Sequence, residues 1–147
     1  MNKKIILFSL LVFIFSCKTK NNTTKIDNIK VYKDLGQVQR TFDITIGSFW
    51  SFKSVDLDSI YIDNSESLKS LEKYFENLHS TKKREVFINP KYAFLVAYQG
   101  KKDTLYMDEN LRKGYYKNAH IEIEDKKGLL KIELEKLSPV FFDGKSN

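Results

Sequence analysis

The chain has one cysteine, Cys17, separated only by Ser16 from an apolar run from Ile5 to Phe15 that Ser9 alone interrupts. No disulfide can form within such a chain, so its fold must be held by buried apolar side chains. Eleven Phe, eight Tyr and one Trp in 147 residues supply ample area for that core. A packed domain is expected, not a disordered one.

Lys3 and Lys4 precede the apolar run, and eleven residues are too few to cross a hydrocarbon core about 30 Å thick. The arrangement has the parts of a secretory signal peptide. The Ile14-Phe15-Ser16-Cys17 end resembles the lipobox of bacterial lipoproteins, an aliphatic residue at −3 and a small one at −1 before the cysteine. That resemblance implies that residues 1–16 are removed and that Cys17 becomes the first mature residue. Its sulfur and amino group would carry acyl chains, palmitate among them, and the protein would sit in the cell envelope. Each buried CH₂ of such chains contributes about 0.8 kcal/mol, so two or three chains hold a protein on a membrane where one does not. Lys18, directly after the cysteine, resembles the residue found in lipoproteins sent to the outer membrane. In a cell with two membranes the domain would then face the periplasm.

Loss of Lys3 and Lys4 with the signal lowers the formal charge from +6 to +4. Residues 17–28, with one apolar residue after Cys17, read as the lipidated cysteine and a flexible tether. Its ends would lie roughly 15 to 20 Å apart as coil and about 35 to 40 Å apart when extended. Residues 29–147 are long enough for a single domain.

Within that domain, alternation through Thr41-Phe42-Asp43-Ile44-Thr45-Ile46 predicts a strand over about residues 38–46, ended by Gly47. Residues 58–62 have strand character. Asp63, Asn64 and Ser65 offer helix N-caps, with Asp63 and Glu66 at capping-box spacing. The spacing of Leu68, Leu71, Phe75 and Leu78 predicts one amphipathic helix over residues 65–79, with His79 capping its end. Residues 92–98 are apolar throughout and predict a central strand. Residues 100–103 suggest a hairpin loop that places Tyr98 opposite Leu105. Alternation at Ile121 and Ile123, and again at Leu130, Ile132 and Leu134, predicts a second hairpin across residues 124–128, although residues 129–137 also suit a short helix. Val140-Phe141-Phe142 is too apolar to hang free. The expected class is α+β, an antiparallel meander sheet packed on one main helix. The element order resembles the cystatin-like architecture, an analogy of order that carries no function.

Catalytic candidates are few. His120 enters a predicted strand, with no His or Cys at metal-ligand spacing. Asp56, Asp58 and Asp63 lack the glycine and closing Glu of an EF-hand loop, and helix capping and strand-end solvation account for them. Phosphate-loop, dinucleotide and nucleophile-elbow motifs are absent from the sequence. A pI near 9.2 raises nucleic acid as a partner, but the lysines come in scattered pairs. Lys101 with Lys102 and Lys126 with Lys127 fall in predicted loops that would share one end of the sheet as a basic rim. Tyr115 and Tyr116, beside Arg112, Lys113 and Lys117, are a second candidate surface, and alternation sends the two rings to opposite faces. The expectation is a membrane-anchored envelope lipoprotein, without cofactor or metal, serving as a non-catalytic binding module for a protein partner of inhibitor or immunity type. A structural accessory subunit of an envelope assembly is the alternative, and a small envelope hydrolase the third.

Overall fold

A computed structural model describes residues 25–37, 43–53, 56–76, 78–80, 88–123 and 127–143. Its seven strands are β1 (Asn28–Asp34), β2 (Leu57–Ile62), β3 (Leu78–Ser80), β4 (Tyr92–Tyr98), β5 (Lys101–Met107), β6 (Lys113–Tyr116) and β7 (Ala119–Ile123). They form one sheet in the order β2-β1-β4-β5-β6-β7-β3, antiparallel at every pairing. The helices are α1 (Ser65–Glu76), α2 (Leu129–Leu137) and the short α3 (Pro139–Asp143). The class is α+β, with an open meander of β4 to β7, and among the described residues no helix is long and apolar enough to cross a membrane.

Two tight turns set the meander. Gln99 and Gly100 both have positive φ, 48° and 75°, and so do Lys117 and Asn118, 48° and 61°. Such two-residue loops match the right-handed twist of the strands they join. They pair Tyr98 with Lys101 and Tyr116 with Ala119. The hairpin loop is thus two residues rather than residues 100–103, and Leu105 lies opposite Phe94, not Tyr98. The shift is an even number of residues, so every side chain keeps its expected face.

On the first face, Ile29, Val31, Phe94, Leu105, Met107 and Ile121 pack beneath Leu68 and Leu71 of α1, Leu130 and Leu134 of α2, and Phe141 and Phe142 of α3. The α1 stripe therefore behaves as its spacing predicts. The helix begins on Asn64, however, whose Oδ1 accepts from Ser67 N at 2.8 Å, rather than on Asp63. It also ends at Glu76. Leu78 reaches the core from β3, and His79 lies in that strand instead of capping the helix. Buried Lys33 donates through Nζ to the carbonyl of Phe141, which pins α3 to the sheet.

Residues 129–137 form a helix and not the second strand of a hairpin. Leu130 and Leu134, four apart, are buried, whereas Ile132 is 43% exposed. The outer edge of β7 is taken by β3, with Leu78 opposite Ile123, so no place remains there for another strand.

The expected strand over residues 38–46 also differs. Residues 38–42 lie outside the described residues, and residues 43–48 are irregular or turn. Thr45 N donates to Ser48 Oγ at 3.0 Å and Ser48 N to Thr45 Oγ1 at 3.2 Å, a reciprocal pair that starts a 3₁₀ helix at Phe49–Phe52. That segment drops Ile44 and Phe49 onto Tyr32 and Ala93 of the second sheet face. Ile26, read as tether, is instead buried, and its N–H donates to Glu72 Oε1 of α1 at 3.0 Å.

Candidate functional site

Strand direction decides which basic residues meet. β4 runs toward the turn at Gln99, β5 returns, β6 runs back up to the turn at Lys117, and β7 returns again. Lys101 and Lys102 therefore share an end with Lys117, while Lys127 lies beyond the far end of β7. The expected rim joining Lys101 and Lys102 to Lys127 does not form, because an extra strand, β6, reverses the direction between them. Lys126 lies outside the described residues.

At the two-turn end, Tyr98, Asp103 and Tyr116 point to the first sheet face by register. Asp103 Oδ2 accepts from the hydroxyls of Tyr98 and of Tyr116, the latter at 3.0 Å, and Lys117 Nζ lies 3.2 Å from the same oxygen. Lys117 also sits 5.0 Å from the Tyr116 ring centre and 5.6 Å from that of Tyr98. Burial works against ionising Asp103, but the Tyr98 hydroxyl, the Lys117 ammonium and the Tyr116 hydroxyl together hold its carboxyl below the usual carboxylate range. Burial, reinforced by the bond to Asp103, pushes the Tyr116 phenol up to about 12. The bond to Asp103 raises Lys117 in turn. The shifts move all three groups away from neutrality, so the cluster is a set of fixed charges and donors and not an acid–base pair poised near pH 7.

A pH dependence follows with a definite sign. A carboxyl depressed by folding contributes stability that is complete above its unfolded value of about 4 and is lost as pH falls through its folded value. Asp103→Asn is expected to flatten the acid limb of the stability profile below about pH 4, read as urea midpoints from pH 7 down to pH 3. Parallel limbs for the parent and the variant would show that the cluster does not bias ionisation.

Tyr115 lies on the second face, its ring edge-on to His120 at 5.3 Å, and Tyr116 packs against the first-face core, so the two rings diverge as alternation requires. Among the described residues, buried His120 Nδ1 has no hydrogen-bond partner. The sequence marks Lys117 only as a neighbour of the Tyr115 and Tyr116 surface, and gives no sign that Tyr98 and Asp103 join it. The local signal is the Gln99 and Gly100 pair, whose two-residue turn brings Asp103 level with Val96 and within reach of Tyr98.

Among the described residues, the second face is covered over only part of its extent. The Phe49 and Trp50 segment caps Tyr32, Ala93 and Tyr106, with Trp50 Nε1 donating to Tyr106 Oη at 2.8 Å. Elsewhere Tyr61 is 58% exposed and Thr104 and Tyr115 are half-buried, while Leu95 is half-buried against the Phe49 cluster. By register the described strands carry Lys30, Lys102 and Lys113 on this face, with Glu122 as their exposed acid.

Among the described residues two clefts stand out. One of about 550 Å³ is lined by Lys25, Ile26, Asp63, Leu68 and Lys69 among others, and one of about 310 Å³ by Asp34, Lys91, Asp108 and Lys113 among others. Among the described residues no group of three His, Cys, Asp or Glu side chains is placed to hold a metal ion. Comparison with protein-family models, with curated proteins and with solved structures gives no match, so the site is read from its own chemistry.

Proposed function

We propose that the protein is a lipoprotein of a bacterial cell envelope, anchored through Cys17, whose domain is a non-catalytic binding module for a soluble protein partner. The observation that carries the reading is the partly covered second sheet face. It offers exposed tyrosine and half-buried apolar positions, and its charges are mostly lysines. Tyrosine is enriched at interface hot spots, and the excess of lysine around it favours a partner with an acidic surface.

The test is affinity purification of the tagged protein from its own cells in mild detergent, with a Cys17→Ser control. One stoichiometric soluble partner is expected, released by Tyr61→Ala or Tyr115→Ala with at least a tenfold loss of affinity, or about 1.4 kcal/mol. Recovery with a large membrane complex would favour an accessory subunit instead. Turnover of a small substrate that disappears in His120→Ala would favour a hydrolase. Cys17→Ser is expected to leave an unacylated precursor, and a diacylated mature form from that variant would overturn the anchor.

A further inference from the structure

Tyr32 lies on the second sheet face, 7% exposed, with its ring edge-on to Trp50 at 5.0 Å. Lys30 precedes it by two residues on β1 and therefore projects from the same face. Its Nζ lies 4.9 Å from the Tyr32 ring centre. Lys53 arrives from a separate element, the end of the 3₁₀ helix, and places its Nζ 5.2 Å from the Tyr32 ring centre and 5.9 Å from that of Trp50.

Two ammonium groups thus converge on one tyrosine from elements more than twenty residues apart in sequence. Among the described residues neither has a carboxylate within salt-bridge range, whereas Lys91, Lys117, Lys131 and Lys136 each have one at 3.2 to 3.9 Å. Like charges gathered beside a ring repel one another and stay put at lowest cost when an anion lies between them. The tyrosine itself registers the local potential: burial alone would raise its pKa, but Lys30 and Lys53 outweigh burial and lower it.

We infer that Lys30 and Lys53 form an oxyanion site, with the Tyr32 hydroxyl and the Trp50 ring as its floor and wall, that takes a phosphate group. A free phosphate or phosphate monoester carries nearly two negative charges and three acceptor oxygens, and a phospholipid's diester carries one charge and two, so either can engage both ammonium groups, which bind it as point charges. The group comes either from a free phosphate ester or from a phospholipid head group. The second source rests on the anchoring reading above, and the first does not.

The chain's only tryptophan is the reporter, since Trp50 forms the wall of the site. The full chain in uncharged detergent is titrated with inorganic phosphate at constant ionic strength, chloride replacing phosphate, while Trp50 emission is followed. A saturable change is expected, weakened at least tenfold by Lys30→Gln or Lys53→Gln and unaffected by Lys101→Gln, with urea midpoints confirming that each variant is folded. Lys30→Arg should restore binding, because it returns the charge. Reconstitution in phosphatidylglycerol against phosphatidylcholine vesicles then separates the sources. Emission that responds to phosphatidylglycerol alone identifies the head group, and emission that responds only to soluble phosphate identifies the free anion. No saturable change with either, or a change of equal strength in both glutamine variants, overturns the site. The phosphate titration does not depend on acylation, so its result stands apart from that of the anchor test.

Discussion

Gly114→Ala is expected to destabilise the domain by about 3 kcal/mol or more, although it adds a single methyl group. A Cβ built on Gly114 would meet the backbone carbonyl of Tyr106, lie 2.5 Å from Met107 Sδ and 3.3 Å from Ile121 Cδ1. A thioether can swing aside. The carbonyl cannot, because Tyr106 belongs to the β5–β6 ladder, in which Met107 pairs with Gly114 and Tyr106 with Tyr115. The added methyl must therefore force the two strands apart and weaken the ladder on both sides. Gly100→Ala is the informative comparison. It has φ of 75° but nothing within 4 Å of the added Cβ, so its cost is backbone strain of about 1 to 2 kcal/mol. Urea midpoints of the two variants measure the difference, and a Gly114→Ala midpoint equal to that of the parent would show that the strands separate freely.

Phe94→Ala should cost about 3 to 5 kcal/mol, a large share of the roughly 5 to 15 kcal/mol that holds a domain folded. Phe94 is 1% exposed at the centre of the first face, flanked by Val31 on β1 and Leu105 on β5. Its ring lies 6.3 Å edge-on from Phe75 and 6.4 Å from Tyr92, so truncation removes aromatic contacts to α1 and to its own strand at once. The surrounding elements are tied to one another and cannot collapse into the space, which is why the cavity contribution adds to the lost transfer energy. A fall in Tm of more than about 10 °C is the expected reading. Phe94→Leu should lose much less. If Phe94→Ala shifts Tm by only a degree or two, the core of this face is centred elsewhere.

The sheet and its main helix were legible for different reasons. Leu68, Leu71 and Phe75 repeat at a helical period, and such a stripe has one efficient burial mode. Residues 92–98 are apolar on both faces, which marks a central strand, and β4 indeed lies between β1 and β5. Local pattern sets the β4–β5 register four residues off yet keeps every face, because strand period is two and an even shift preserves the faces. β1 went unseen. Its alternation of Ile29 and Val31 is masked by Lys33, which is buried on the same face and reads as a solvated lysine until Phe141 supplies its acceptor.

Residues 129–137 show the limit of local pattern. Leu130 and Leu134 fit strand alternation and a helical i to i+4 pair equally well. The outcome turned on whether β7 had a free edge, and Leu78-His79-Ser80 had taken it. The candidate sites have the same origin. Lys101, Lys102, Tyr115 and Tyr116 were visible as residue types, but Lys127 was separated from the first two once β6 reversed the chain. The Asp103 cluster depends on one turn placing it near Tyr98 and another placing it near Lys117.

By itself the sequence determined the α+β class, the faces of the strands it revealed, the helix stripe and a fold without disulfides, because these follow from composition and from spacings within a few residues. Only the tertiary structure decided the strand order, the helical state of residues 129–137, the carboxylate shared by Tyr98, Tyr116 and Lys117, and the meeting of Lys30 with Lys53. Each of those depends on which distant segment occupies a given edge or face, and packing resolves that competition over the whole chain at once.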